Sequence, residues 1–180
     1  MLQNLTKDIK VISPQSGKKI VEVVGVINLA FKSQVVSRKD IETITIDQIK
    51  EKLKNSFERE IYGILNENTI IGTAFLLLCQ REAPAQLSHL AVLPEFQGQR
   101  LGLDLLRYAE SRAKKIYSKK QICLNIIHHP DEPQDWLMNY YQDQGYVEFK
   151  SEKLLQNELD RYFLAKYHEG LSVRWFDKHL

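Results

Sequence analysis

One junction in the sequence combines the residue types that bind anions. An apolar run ends at Val92-Leu93-Pro94, and a polar loop containing Gly98 and Gly102 leads directly into a segment with helical spacing. The first N–H groups of a helix have no partner within it, and glycine lets a ligand approach the backbone closely. Charge-assisted hydrogen bonds contribute about 1.5–3 kcal/mol each, against about 0.3–1 kcal/mol for the helix dipole. The junction therefore predicts a phosphate site dominated by N–H donors.

The surrounding segments predict a mixed α/β fold. Apolar alternation and β-branched runs predict strands, and helical spacing predicts helices. The predicted strands are 8–13, 60–65, 69–79, 86–93, 121–127, 146–150 and 162–168, and the predicted helices are 17–31, 46–53, 102–117 and 134–144. Consecutive strands in the middle indicate antiparallel hairpins, and the strand–helix–strand unit indicates one parallel pair. We expect a mostly antiparallel mixed sheet with helices on both faces, in one domain with a core of about 9–168 and a tail at 169–180.

The composition fits a single globular domain and excludes several classes of protein. The chain has 180 residues, 43% of them hydrophobic, and a net charge of +2, which gives no general attraction to nucleic acid. Cys79 and Cys123 lie in apolar runs and are expected to be buried free thiols, so no disulfide framework is predicted. No secretory signal or membrane span is recognisable. We therefore expect a cytoplasmic protein with no membrane or nucleic-acid partner.

The junction resembles the signature of the GNAT superfamily of acyl-CoA-dependent N-acetyltransferases. That signature, Gln/Arg-x-x-Gly-x-Gly/Ala after a strand ending in Val-x-Pro, is similar to Gln97-Gly98-Gln99-Arg100-Leu101-Gly102 after Val92-Leu93-Pro94. The run from Tyr141 to Tyr146 is similar to the family's Tyr-x-x-x-Gly-Phe/Tyr element, and the predicted element order is the family's order. Arg100 replaces the family's middle glycine. A left-handed backbone there would cost about 1 kcal/mol, so we expect ordinary φ at Arg100 and a guanidinium that reaches a phosphate.

The resemblance implies acetyl-CoA as cosubstrate, and we expect no metal. The pantetheine arm would lie along the strand, and the pyrophosphate would lie on the N–H groups of the loop and first helical turn. Gln134 falls where the family often carries an asparagine that contacts the arm. The implied coenzyme-binding residues are Leu90, Ala91, Val92, Gln97, Gly98, Gln99, Arg100, Leu101, Gly102, Leu103, Gln134 and Tyr141.

The resemblance also implies direct attack of a primary amine on the thioester. Tyr141 is the expected acid for the leaving thiolate, although it could instead only pack and hold the thiol end. Tyr140 is the weaker choice because it would point about 100° away on a helix. The general base stays open among four residues, which are Glu60, His89, His128 and His129. Adjacent histidines face opposite sides of a strand, which disfavours zinc.

The expected function is therefore acetyl transfer from acetyl-CoA to a primary amine of a small molecule or a protein. Two alternatives stay open. One is a non-catalytic acyl-CoA-binding module on the same fold, which the undetermined base and Arg100 would suit. The other is a structural protein, because Trp175-Phe176 in the tail could pack on the sheet or in a homodimer.

Overall fold

The structure, a computed structural model, describes residues 8–13, 15–34, 44–54, 59–78, 82–128, 135–153 and 172–180. The helices and strands follow one another in the predicted order. The strands are β1 (Asp8–Ile12), β2 (Arg59–Asn66), β3 (Thr69–Leu78), β4 (Ala85–Val92), β5 (Gln121–His128), β6 (Val147–Lys153) and β7 (Ser172–His179). The helices are α1 (Gly17–Gln34), α2 (Ile46–Lys54), α3 (Leu101–Lys115) and α4 (Asp135–Asp143).

The strands form one seven-stranded mixed sheet in the order β1-β2-β3-β4-β5-β7-β6. Only β4 and β5 pair in parallel among the described strands, and the remaining pairs are antiparallel. The expected mixed sheet with a single parallel pair is confirmed.

Helices cover both faces of the sheet. The α3-face core contains the buried side of α3, Met138 and Tyr141 of α4, and the sheet residues beneath them. The α1-face core contains the buried side of α1, Ile49 of α2, and sheet residues such as Phe75 and Ala91. Thr45 caps α2 as a capping box, because its hydroxyl accepts from the Gln48 N–H group and the Gln48 side chain accepts from the Thr45 N–H group. The sheet therefore lies between two helical layers.

The C-terminal prediction was wrong where the structure can test it. Residues 172–179 form β7, which lies between β5 and β6, so the expected tail at 169–180 is largely a central strand. Phe176 is fully buried in the α3-face core, and Trp175 is half-buried. The strand was missed because charged residues on both sides of Trp175-Phe176 leave no long apolar run. The predicted strand at 162–168 lies outside the described residues, as does Cys79. Cys123 is half-buried and is not joined in a disulfide.

Candidate functional site

The start of α3 presents a group of unpaired backbone donors. The first bond of the helix joins the Asp104 N–H group to the Arg100 carbonyl, at 3.0 Å. Within the part of the chain that the structure describes, the N–H groups from Gly98 to Leu103 have no acceptor. Gly98 has φ of 76°, and a side chain at Gly102 would meet only Leu90, at 3.9 Å. This amide cradle, defined as the N–H groups of residues 98–103, can therefore receive an anion at close range.

Arg100 differs from the expectation in its backbone. Its φ is 64° and its ψ is 11°, so it lies in the left-handed region that glycine favours. The residue lies between the short 3-10 turn at Pro94–Phe96 and α3, as the N-cap of the helix. The side chain is exposed and has no partner among the described residues.

The parallel strands β4 and β5 separate next to the amide cradle. Their pairing covers only Ala85 with Ile122 and Gln86 with Cys123, at the beginning of both strands. Beyond Gln86 the β5 side of β4 carries no strand partner in the described chain. The carbonyl of Val92 accepts a 3.0 Å hydrogen bond from Gln97 Nε2, so this peptide group points away from β3 and into the opening. Backbone groups alternate sides along a strand, which directs those of Leu90 to the same opening.

A β-bulge interrupts β4 at the opening. Thr73 pairs with Ala91 and Phe75 pairs with Ser88, so two residues of β4, His89 and Leu90, lie opposite one residue of β3. His89 has φ of 51°. Its Nδ1 lies 3.1 Å from Ser88 Oγ, and its ring centroid lies 4.9 Å from that of Phe75. Because Phe75 belongs to the α1-face core, His89 approaches the opening from the α1 side.

Tyr141 approaches the same sheet from the opposite face. It is 7% exposed and belongs to the α3-face core, with its ring centroid 5.2 Å from that of Tyr140 and 5.8 Å from that of Tyr146. Its hydroxyl forms no hydrogen bond with any described residue. Burial, with a smaller contribution from Tyr140, raises the pKa of Tyr141, so the phenol keeps its proton at neutral pH.

Glu60 is held in a network at the other end of α3. Its carboxylate accepts hydrogen bonds from Tyr62 Oη and Tyr117 Oη, each at 2.6 Å, and from Arg112 through Nε, at 2.9 Å, and Nη2. Burial opposes ionisation of Glu60, but the bonds from Arg112, Tyr117 and Tyr62 outweigh it and lower the pKa. Burial and the bond to Glu60 raise the pKa of Tyr117 to about 12. A low-pKa carboxylate with four donors is a poor proton acceptor, so the structure does not support Glu60 as the general base.

The remaining candidates divide between described and undescribed residues. His128 ends β5 at the edge where the strands separate and is half-buried. Gln134 and His129 lie outside the described residues. In the described ranges no group of three or more His, Cys, Asp or Glu side chains is placed to hold a metal ion. None of the described helices is long and apolar enough to span a membrane.

Sequence reasoning missed two features that position this region. One is the bulge at His89–Leu90, which no turn residue signals. The other is the ion pair between Glu110 and Lys178. The Nζ atom of Lys178 lies 2.9 Å from Glu110 Oε1 and 5.5 Å from the centroid of the Tyr146 ring. Glu110 lies on the apolar stripe of α3 at 8% exposure, and a charged residue at a buried helical position was the available signal for a partner.

Solved structures with the same architecture come from several organisms. A GNAT family acetyltransferase from Elizabethkingia anophelis, with acetyl-CoA bound, has a TM-score of 0.68 at 17% identity, over 96% of this chain and 97% of that one. The ribosomal-protein-alanine N-acetyltransferase of Brucella melitensis has a TM-score of 0.69 at 14% identity, over 96% and 99% of the two chains. An acetyltransferase from Streptococcus agalactiae has a TM-score of 0.66 at 20% identity, over 96% and 98%. At these identities the likeness shows the fold.

The family itself is shown by sequence. No curated protein matches the sequence with significance. The sequence model of the acetyltransferase (GNAT) domain matches residues 58–148, which is half of the chain and runs from β2 to the start of β6. That span contains the bulge, the opening between β4 and β5, the amide cradle and Tyr141. The chain therefore belongs to the GNAT acetyltransferase family.

Proposed function

We propose that the protein transfers the acetyl group of acetyl-CoA to a primary amine by direct attack of the amine on the thioester. The observation that carries this proposal is the amide cradle beside the separated strands. Its six N–H groups include the first three of α3 and lack acceptors in the described chain, and they lie next to an opening where β4 has no strand partner beyond Gln86 in the described chain. A diphosphate attached to an extended amide-containing arm has the complementary chemistry.

The coenzyme would bind along β4. Its pyrophosphate accepts from the N–H groups between Gly98 and Leu103, and several such bonds at about 1.5–3 kcal/mol each supply most of the binding free energy. The amides of the pantetheine arm pair with the backbone of Leu90 and Val92, as an added strand would. The thioester then reaches the bulge, where the Leu90 N–H group would donate to the acetyl carbonyl oxygen and stabilise the oxyanion.

The acceptor amine would enter from the α1 side, where His89 lies. An alkyl amine has a pKa of about 10.4 and must lose a proton before or during attack. An imidazole nitrogen can accept this proton, and His89 is the candidate base that the structure describes at the bulge. The nitrogen forms the C–N bond, the C–S bond breaks, and the excess proton of the amine leaves through His89 or water.

Tyr141 would act on the leaving sulfur from the α3 side. A thiol has a pKa of about 8.5, and the pKa of Tyr141 is raised above that of an ordinary phenol, about 10. Full proton transfer from Tyr141 to the thiolate is therefore uphill by about 2 kcal/mol or more. A hydrogen bond from the phenol to the developing thiolate has no such penalty and is stronger in a buried site.

The direct test is release of free thiol from acetyl-CoA across a panel of amines. The panel should contain small polyamines, an aminated sugar, a peptide with an internal lysine and a peptide with a free N-terminal amine. We expect amine-dependent thiol release with at least one class, together with an acetylated product detected by mass spectrometry. Tight coenzyme binding without release for any amine would favour the non-catalytic module, and no coenzyme binding would refute the proposal.

A further inference from the structure

Two consecutive side chains of β4, Ser88 and His89, lie on the same face of the sheet. Successive residues of a regular strand face opposite sides. Ser88 pairs in register with Phe75, and the His89 ring centroid lies 4.9 Å from that of Phe75, so both side chains are on the α1 side. Leu90 packs against the α3-face core and Ala91 belongs to the α1-face core, so alternation resumes after His89. The bulge therefore brings a hydroxyl and an imidazole side by side.

The backbone of His89 has a conformation that is unusual in a strand. Its φ of 51° lies in the left-handed region, which costs an L residue about 1–2 kcal/mol. Such strain persists where the surrounding structure imposes it, and it is concentrated at binding and reactive sites. The strand pairs on both sides of the bulge, Thr73 with Ala91 and Phe75 with Ser88, impose it here. The imidazole is therefore held by strand pairing and not by a loop.

A hydrogen bond joins the two side chains. Ser88 Oγ lies 3.1 Å from His89 Nδ1, and both residues are half-buried. Nδ1 is the ring nitrogen nearer to the backbone, so Nε2 is the nitrogen that reaches further from it. A neutral imidazole carries one proton, and the hydrogen bond at one nitrogen decides which of the two carries it. Ser88 can therefore control which nitrogen of His89 is able to accept a proton.

The direction of this hydrogen bond determines whether Nε2 can act as a base. A serine hydroxyl can accept from an N–H group or donate to an unprotonated nitrogen. If Ser88 accepts, Nδ1 carries the proton and the lone pair of Nε2 is available. If Ser88 donates, Nε2 carries the proton and cannot take another. Only the first arrangement stays unchanged when Nε2 is protonated, because Nδ1 is a donor before and after the transfer.

We propose that Ser88 is a positioning residue for His89. Its Oγ accepts from Nδ1–H and holds the ring in the tautomer whose Nε2 takes the excess proton of the acceptor amine. This inference rests on the proposed function, in which the amine enters from the α1 side. As the C–N bond forms and the C–S bond breaks, Nε2 gains the amine proton and Nδ1 keeps its own. The proton on Nε2 then passes to water, and the thiolate takes a proton from water.

The first test reads the tautomer and needs no activity. Long-range ¹H–¹⁵N correlation spectra of the chain labelled with ¹⁵N-histidine, recorded at alkaline pH, show which nitrogen carries the proton, and His89→Gln assigns the signal. We expect Nδ1–H in the unaltered chain and in Ser88→Thr, and a shift towards Nε2–H in Ser88→Ala. Thr73→Val is the matched control, because the Thr73 hydroxyl donates to the Tyr62 carbonyl, at 2.8 Å, and its loss should leave the tautomer unchanged.

The second test is kinetic and uses the amine of the panel that reacts fastest. Ser88→Ala should lower kcat about tenfold with little change in KM for acetyl-CoA, and Ser88→Thr should recover most of the loss because it keeps the hydroxyl. Thr73→Val should keep kcat. An Nε2–H tautomer in the unaltered chain, or equal losses of kcat in Ser88→Ala and Ser88→Thr, would overturn this inference alone. Absence of thiol release from the unaltered chain with every amine would instead refute the proposed function.

Discussion

The two ends of α3 differ in whether their polar groups have hydrogen-bond partners. At the C-terminal end, the carbonyls of Arg112 and Ala113 accept from Ile116, Tyr117 and Lys119. The Arg112 side chain there is paired with the Glu60 carboxylate. At the N-terminal end six N–H groups lack acceptors, and Arg100 is left in a left-handed conformation with an unpaired side chain in the described chain. The satisfied end fastens the helix to the sheet, and the unsatisfied end is free to bind a ligand.

The largest expected effect concerns the group that acts on the leaving sulfur. Tyr141→Phe should lower kcat about 100-fold with little change in KM for acetyl-CoA, because the lost hydrogen bond forms mainly in the transition state. Tyr140→Phe, the neighbouring ring, is the matched control and should keep most of kcat. Steady-state thiol release measures both variants, and equal loss in the two would remove the specific role of Tyr141.

The unsatisfied end is tested by placing a charge in the cradle. Gly102→Glu should weaken CoA binding at least tenfold more than Gly102→Gln, because the two side chains have similar size and only the carboxylate repels a diphosphate. Calorimetric titration with CoA gives the comparison. Similar dissociation constants for the two variants would show that the anion binds elsewhere.

The satisfied end should respond in stability rather than in coenzyme affinity. Glu60→Gln removes a charged partner from Arg112 and two tyrosines, and we expect the free energy of unfolding to fall by about 2 kcal/mol. Urea denaturation measures the change, and the dissociation constant for CoA should stay within about twofold, well below a tenfold, 1.4 kcal/mol change. A large loss of affinity without loss of stability would contradict the division between the two ends.

The same carboxylate predicts a pH dependence. The pKa of Glu60 is lowered in the folded protein from its ordinary value of 4.5, so the folded state favours the ionised form. Its contribution to stability is complete above pH 4.5 and is lost as the pH falls through the folded-state pKa. Unfolding measured between neutral and acidic pH should show a smaller acid-induced loss for Glu60→Gln than for the unaltered chain. Identical slopes would mean that Glu60 does not titrate differently on folding.

The smallest effect concerns the backbone at Arg100. Glycine relieves the left-handed strain of about 1 kcal/mol but adds freedom to the unfolded chain, so Arg100→Gly should raise the free energy of unfolding by only about 0.5 kcal/mol. Arg100→Ala keeps the strain, and it should not be stabilising. Parallel thermal unfolding distinguishes the two variants, and equal stability would indicate that the strain is negligible.

Local signals predicted most of the fold, while long-range pairing decided the rest. The strand–loop–helix junction at 86–117 was predictable because apolar runs, two glycines and helical spacing all lie close together in the sequence. The place of β7 between β5 and β6 depends on pairing with residues about 50 positions away, which no local pattern encodes. Long-range contacts also decide the part that Glu60 plays. A glutamate is a suitable residue type for a general base, but Glu60 is paired with Arg112, 52 positions away, which the local sequence does not indicate.

The central claim is tested most directly by amide NMR of the chain titrated with CoA. Binding of the diphosphate by backbone donors should move the N–H resonances of residues 98–103 most, with smaller shifts at Leu90 and Val92 and little change around Glu60 and Arg112. Shifts that are absent from residues 98–103, or that centre on the C-terminal end of α3, would contradict the account.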